Sequence, residues 1–213
     1  LRRVLERGRA MGFEPYCGFE YEFFVFAETP DSVREKNYRD LRPIAPDYFG
    51  YSVIRNSVWS DFYRVLLETA ERMDFPIEGL HEETGPGVIE AAIAVDDALR
   101  AADKAVLFKT FAKVMAQRRN LMATFMAKWS NQWPGQSGHI HVSLRRKDGG
   151  SAFHDEKAPF HMSETMRHFL GGQQTLMPEL LGMIASTVNS YSRLIPGYWA
   201  PTTATWGVEN RTT

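Results

Sequence analysis

The 213-residue chain has the composition of an ordinary globular protein, with 44% hydrophobic and 24% charged residues, and its length suits one large domain or two small ones. The formal net charge of −1 provides no overall field for nucleic acid or an anionic membrane, so we expect neither as a partner. One cysteine, Cys17, excludes an internal disulfide framework and a cysteine-based zinc cluster, and we therefore expect a reducing, cytoplasmic location.

The first half of the chain is predicted to hold a helix, a strand, a long loop and two more helices. Residues 1–11 form the basic helix, which ends at Gly12, and residues 18–26 form the strand. Residues 28–50 are polar and proline-rich and are predicted to be the loop. Helical spacing of apolar residues predicts helices over 57–73 and from an N-cap at Asp96 toward Arg119.

The second half is predicted to begin with strands over 121–128 and 139–144, followed by a turn at 148–150. Ser163 caps a short helix, and residues 173–191 form another that is perturbed at Pro178. Strands and helices do not alternate regularly. We therefore predict an α+β fold with a curved, mainly antiparallel sheet backed by helices.

Two glutamates occupy the strand Gly-Phe-Glu-Tyr-Glu-Phe-Phe-Val-Phe at 18–26. Because side chains alternate along a strand, Glu20 and Glu22 share one face, and Phe24 and Phe26 follow on that face. Unpartnered buried carboxylates cost several kcal/mol or become protonated. The pattern leaves two interpretations: a solvated sheet surface or a functional site.

A second group of carboxylates surrounds the Gly-Pro-Gly turn at 85–87, which predicts a hairpin. If the hairpin is centred on Pro86, Glu82 and Glu90 face one another, and a cation between them would relieve their repulsion. The alternative is a bulged hairpin that turns one glutamate to water and leaves Glu83 as a surface neighbour.

The strand at 139–144 places His139, His141 and Ser143 on one face, after two glycines that allow a ligand to approach the backbone, Gly135 and Gly138. Carboxylate-rich sites suit Mg²⁺ or Mn²⁺, which often bridge phosphates. Arg193 and Arg211 could clamp a phosphate or a carboxylate, although a surface ion pair explains each equally well. Together these residues suggest phosphoryl transfer.

Four blocks in order give the chain a close resemblance to the catalytic domain of the glutamine synthetase family. They are Gly-Phe-Glu-Tyr-Glu-Phe-Phe, the His-Glu block ending at Glu90, Ser-Gly-His-Ile-His-Val-Ser-Leu, and Arg-Leu-Ile-Pro-Gly-Tyr continuing to Trp-Gly-Val-Glu-Asn-Arg. The resemblance implies that ATP phosphorylates the γ-carboxylate of glutamate and an amine then displaces phosphate. It further implies a ring-shaped, dodecamer-like homo-oligomer and a role in nitrogen metabolism.

The resemblance also assigns residues to two Mg²⁺ or Mn²⁺ sites, to ATP and to glutamate. It implies that Glu22, Glu82 and Glu90 bind the tighter metal ion. Glu20 and His139 would bind the second ion. His141 and Ser143 would contact ATP. Arg193 would bind glutamate, and Arg211 would neutralise the transferring phosphoryl group.

Three departures from the family pattern bear on substrate and extent. Trp199 stands where ammonia-using members have a glutamate, which favours an organic amine, as in γ-glutamylpolyamine synthetases, over ammonia. The segment that contacts the glutamate substrate is shortened and starts at Gly135. The chain begins at Leu1, and we expect residues 1–213 to be part of one catalytic domain whose N-terminal β-grasp partner and C-terminal remainder lie outside it. The alternatives are an ordinary glutamate–ammonia ligase and a non-catalytic assembly protein of the same fold.

Overall fold

The structure, a computed structural model, describes residues 1–48, 50–197 and 200–208. Its helices are α1 (Arg2–Ala10), α2 (Pro30–Glu35), α3 (Val53–Val58), α4 (Ser60–Arg72), α5 (Ala98–Gln117), α6 (Glu164–Ile184) and α7 (Val188–Arg193). Its strands are β1 (Phe13–Phe26), β2 (Ile77–Glu82), β3 (Val88–Asp97), β4 (Met122–Thr124) and β5 (Gly138–Arg146).

The five strands form one sheet in the order β2-β3-β1-β4, and β5 also pairs with β1. Strand β2 runs antiparallel to β3, and β1 runs antiparallel to β4. The predicted α+β class with a mainly antiparallel sheet is confirmed. The chain divides into two compact units, one of residues 17–141 and the other of residues 1–16 with 142–213.

The unit of residues 17–141 has apolar side chains on both faces of β1. Phe23 and Val25 point into the main core, where α4 and α5 contribute Phe62 and Phe108. Phe24 and Phe26 point the other way, into a smaller cluster with Val88 and Trp129. All four β1 side chains are fully buried, and each phenylalanine contributes about 2–3 kcal/mol by leaving water. This strand is therefore held firmly from both sides.

Several element boundaries differ from the predicted ones for local reasons. The helix predicted over 57–73 is split at Trp59, whose indole N–H donates to the Ile44 carbonyl at 3.0 Å. Asp97, not Asp96, caps α5, because its carboxylate accepts from the backbone N–H groups of Leu99 and Arg100.

In the second half, α6 runs from Glu164 to Ile184 without a break at Pro178, where a perturbation was expected. Strand β4 ends at Thr124, well before residue 128.

The segment predicted to be a polar loop contains α2, and the buried carboxylate of Glu28 fixes it. One oxygen of Glu28 accepts from the Lys36 ammonium at 2.5 Å and from the Arg42 backbone N–H at 2.9 Å, and the other accepts from the Ser32 hydroxyl at 2.6 Å. Burial would raise the pKa of Glu28, but these donors outweigh it and lower the pKa to about 2. A charged glutamate therefore holds α2 and the backbone at Arg42 to the start of this segment.

The unit of residues 1–16 and 142–213 contains α1, α6 and α7. Although α6 is 21 residues long, none of its side chains is buried, and Met183 is 79% exposed. No helix in the described ranges is both long and apolar enough to cross a membrane.

Candidate metal centre

The acidic part of β1, at Glu20 and Glu22, lies beside β5, and Glu20 meets the two histidines of that strand. One oxygen of Glu20 is 2.8 Å from His139 Nδ1, and the other is 3.1 Å from His141 Nε2. Burial would raise the pKa of Glu20, but the hydrogen bonds and positive charge from the two imidazoles lower it. Glu20 is thus kept as a carboxylate and held in one orientation.

Glu22 is oriented by the backbone just before β5. One of its carboxylate oxygens accepts from the Ser137 N–H at 2.6 Å, and its own N–H donates to the Ser137 carbonyl at 3.0 Å. The strands approach so closely here that a Cβ at residue 138 would collide with the Glu20 carbonyl oxygen. Gly138, expected to make room for a ligand, makes room for β1.

The β2–β3 hairpin pairs His81 with Glu90 and Glu82 with Ile89. The expectation that Glu82 faces Glu90 across the hairpin is therefore wrong, because the register places Glu82 opposite a core residue. Glu82 is 1% exposed, and one of its oxygens accepts a long hydrogen bond of 3.4 Å from the Tyr63 hydroxyl. Its other oxygen, Oε2, is buried without a hydrogen-bond partner in the described part of the chain.

Glu90 lies among other carboxylates on the opposite face of the hairpin. Burial, and then the negative charges of Glu22, Glu20 and Glu83, raise the pKa of Glu90 to about 7. One donor atom each from Glu20, Glu90 and His139 lie within 4.8 Å of one another. The same holds for His81, Glu83 and Glu90.

These donors fit a divalent cation. Carboxylate oxygens and imidazole nitrogens are ligands of Mg²⁺ and Mn²⁺. The raised pKa of Glu90 is a cost that a nearby positive charge would remove. Glu20, Glu90 and His139 could hold such an ion together, with Glu22 beside them.

Two polar residues of this site were not predicted to belong to it, His81 and Glu83. Glu83 accepts from the Tyr51 hydroxyl at 2.6 Å and lies 3.1 Å from His81 Nε2. Burial would raise the pKa of Glu83, but the hydrogen bonds from Tyr51, His81 and the Thr84 N–H lower it. Strand alternation already placed His81 and Glu83 on one face, and that was the available signal.

The remaining predicted site residues lie elsewhere or are not described. Gly135 lies in the loop before β5. Ser143 is exposed on β5, and Arg193 is the last residue of α7; both belong to the unit of residues 1–16 and 142–213. Trp199 and Arg211 lie outside the described residues.

Comparison with known proteins gives a family match over the whole chain. The model "Glutamine synthetase, catalytic domain" matches residues 1–213. "Type-1 glutamine synthetase 2" of Dictyostelium discoideum is 45% identical over 213 residues, covering 100% of this chain and 41% of its own length.

Two further relatives carry names that include an organic amine or its amide. "Glutamate–isopropylamine ligase" of Pseudomonas sp is 33% identical over 212 residues, which are 100% of this chain and 46% of that protein. "Gamma-glutamylethanolamide synthetase GlnA4" of Streptomyces coelicolor is 37% identical over 212 residues, which are 100% of this chain and 45% of that protein. The chain thus spans less than half the length of these curated relatives.

Among solved structures, a GmaS/ADP complex superposes on 99% of this chain and 49% of its own chain. The TM-score is 0.87 and the sequence identity is 28%. The fold described above is therefore the fold of that protein's corresponding half.

Proposed function

The chain belongs to the glutamine synthetase family, and from that premise we propose that it is the metal- and nucleotide-binding part of an ATP-dependent ligase. The ligase phosphorylates the γ-carboxylate of glutamate and joins it to an amine. We further propose two Mg²⁺ or Mn²⁺ ions, a ring-shaped homo-oligomer and a cytoplasmic location, as the sequence predicts.

One observation carries this proposal: three of the five side chains that the sequence predicted to be ligands converge beside the acidic residues of β1. Glu20, Glu90 and His139 come from three different strands, β1, β3 and β5, and still offer donor atoms within 4.8 Å. The negative charge of Glu22 contributes to the raised pKa of Glu90. A cation would relieve the repulsion that raises the pKa of Glu90, which supports a metal-binding role for these carboxylates.

A divalent cation, when bound beside Glu20 and Glu22 of β1, would neutralise the charge of phosphate oxygens. The two imidazoles of β5 orient Glu20, and the Ser137 N–H orients Glu22, so both carboxylates are fixed before any substrate arrives. We assign ATP contacts to His141 and Ser143 and charge stabilisation to Arg193 and Arg211. We propose Glu22 and Glu90 as ligands of the tighter ion; the resemblance adds Glu82 to them, but the hairpin register turns Glu82 to the other face from Glu90 and speaks against that assignment.

We propose an organic amine as the nucleophile. Trp199 offers an indole face to an alkylated amine and cannot take up a proton as a glutamate does. Two relatives whose names include such an amine or its amide, 33% and 37% identical, support this preference. The relative named as a type-1 glutamine synthetase, at 45%, supports ammonia instead.

The deciding experiment measures phosphate release by the full-length protein with ATP, Mg²⁺ and glutamate. Ammonia, methylamine, ethanolamine and putrescine are supplied in parallel reactions. We expect release to depend on an organic amine and to be slow with ammonia, and Trp199→Glu should move the preference toward ammonia. Faster release with ammonia in the unmodified protein would identify an ordinary glutamate–ammonia ligase.

A non-catalytic assembly protein of the same fold is the remaining alternative. It would have no need for a cation, whereas a ligase should be stabilised by any ion that binds only its folded state. We expect Mg²⁺ or Mn²⁺ to raise the melting temperature of the full-length protein. A melting temperature that neither ion changes, together with no phosphate release, would favour the assembly protein.

A further inference from the structure

The segment Gly50–Tyr51 is pressed against the end of β2. A Cβ at residue 50 would lie 2.7 Å from the backbone of Glu83 and of Thr84, so only glycine allows this approach. The next residue, Tyr51, donates its N–H to the Glu82 carbonyl at 3.0 Å. The two backbone segments are therefore in direct contact beside the candidate metal centre.

The side chain of Tyr51 then reaches the two polar residues of the hairpin. Its ring stacks on the His81 imidazole, with centroids 5.4 Å apart and planes 20° from parallel. Its hydroxyl donates to Glu83 Oε1 at 2.6 Å, the same oxygen that lies 3.1 Å from His81 Nε2. Glu83 Oε2 accepts from the Thr84 N–H at 3.2 Å, so both oxygens of this carboxylate are held.

Two features of Tyr51 separate it from a residue that only packs. It is 64% exposed, so it adds little to the core. Its φ of +59° lies in the left-handed region, which a non-glycine residue adopts at a cost and keeps only where its surroundings hold it. In this chain the hairpin contacts of Tyr51 hold it in that conformation.

We propose that Tyr51 is a positioning residue of the metal centre and acts on Glu90 through Glu83 and His81. The inference depends on the cation that the proposed function includes. His81 is the register partner of Glu90, and donor atoms of His81, Glu83 and Glu90 lie within 4.8 Å of one another. Tyr51 fixes the His81 imidazole and the Glu83 carboxylate, and these are two of the three groups in the cluster of His81, Glu83 and Glu90. Substituting a residue that holds metal-binding side chains in place typically weakens metal affinity by about 10–100-fold.

The test compares two tyrosines of the same segment in the full-length protein, free of metal and nucleotide. Tyr51→Phe removes the hydroxyl that Glu83 accepts. The matched control, Tyr48→Phe, removes a hydroxyl from a tyrosine that is 52% exposed and whose ring contacts Trp133. Mn²⁺ binding is measured by titration calorimetry, and the metal-free melting temperature is measured alongside.

We expect Tyr51→Phe to weaken Mn²⁺ binding by about 10-fold and Tyr48→Phe to leave it unchanged. Both metal-free variants should melt within about 2 °C of the wild type, because the altered residues are exposed. Glu83→Gln, which keeps the shape of the side chain, should weaken Mn²⁺ binding at least as much as Tyr51→Phe.

Unchanged affinity in Tyr51→Phe would overturn the inference, as would an equal loss in Tyr48→Phe or a loss accompanied by a clearly lower metal-free melting temperature. Calorimetry requires neither glutamate nor an amine. A protein that binds Mn²⁺ but releases no phosphate would therefore refute the proposed function, while the affinities of the variants would still decide the role of Tyr51.

Discussion

The last four side chains on one face of β1 form an acidic half (Glu20 and Glu22) and an aromatic half (Phe24 and Phe26) of opposite chemistry. Glu20 and Glu22 come first, and Phe24 and Phe26 continue on the same face with an exposed fraction of 0% each. The strand geometry is continuous, so the difference comes from what lies opposite. Histidines of β5 meet the acidic half, whereas Val88 and Trp129 meet the aromatic half.

The comparison indicates that stability and chemistry are divided along this strand. The aromatic half gains free energy from burial, as core phenylalanines do. The acidic half contributes to the raised pKa of Glu90, which is a cost to the folded protein in the absence of a cation. Substitutions in the two halves should therefore produce different losses.

The largest effect should come from the aromatic half. Phe24→Ala should lower the free energy of unfolding by about 3–5 kcal/mol, because it removes a ring from a site without solvent access. Urea unfolding measures the loss. The control Ile140→Ala, at a residue that is 63% exposed, should cost less than about 0.5 kcal/mol. A loss below 1 kcal/mol in Phe24→Ala would contradict the division.

Glu28, two residues beyond Phe26, sharpens the comparison because it is a buried carboxylate with three donors. Its pKa of about 2 lies below the usual 4.5, so its contribution is present above pH 4.5 and is lost as the pH falls toward 2. We expect Glu28→Gln to cost on the order of 3 kcal/mol at pH 7 and to lose less stability on acidification. Urea unfolding at pH 7 and pH 3 measures both, and identical acid dependence in the two proteins would refute the assignment.

In the acidic half, Glu20→Gln should act on activity rather than on stability. The amide keeps the shape but loses the charge that pairs with His139 and would bind the cation. We expect phosphate release to fall by at least about 100-fold while the metal-free melting temperature changes by less than about 2 °C. If the variant keeps more than a tenth of wild-type turnover, Glu20 is not a metal ligand.

The smallest effect, and the one of opposite sign, concerns Glu90 in the metal-free protein. Its pKa, raised to about 7, means that the folded state disfavours the charged form, so stability falls as the pH rises from 4.5 to 7. Glu90→Gln should stabilise the metal-free protein by about 1 kcal/mol at pH 8, after allowance for solvent screening, and by nothing at pH 4. Destabilisation at pH 8 would show that Glu90 is already compensated.

The sequence predicted the fold class and the strand carrying Glu20 and Glu22, because alternation and the turn residues at 85–87 are local signals. It misplaced Glu82, because the register of a hairpin depends on how its turn closes, and a shift of one residue moves every side chain to the other face. For the same reason His81 and Glu83 were missed. The contact between Tyr51 and Glu83 joins residues 32 positions apart, and nothing in the local pattern indicates it.

The turn of the β2–β3 hairpin has a consequence for how this chain can vary. Gly87 has a φ of +67°, and a Cβ there would lie 2.7 Å from the Val25 carbonyl oxygen, whose strand carries the acidic residues. In a saturation-mutagenesis library, residue 87 should therefore reject every other amino acid as strongly as the carboxylates do, although it has no side chain and takes part in no chemistry. Intolerance to substitution would then mark the close approach of the hairpin backbone to the β1 backbone, in addition to the residues that bind the cation.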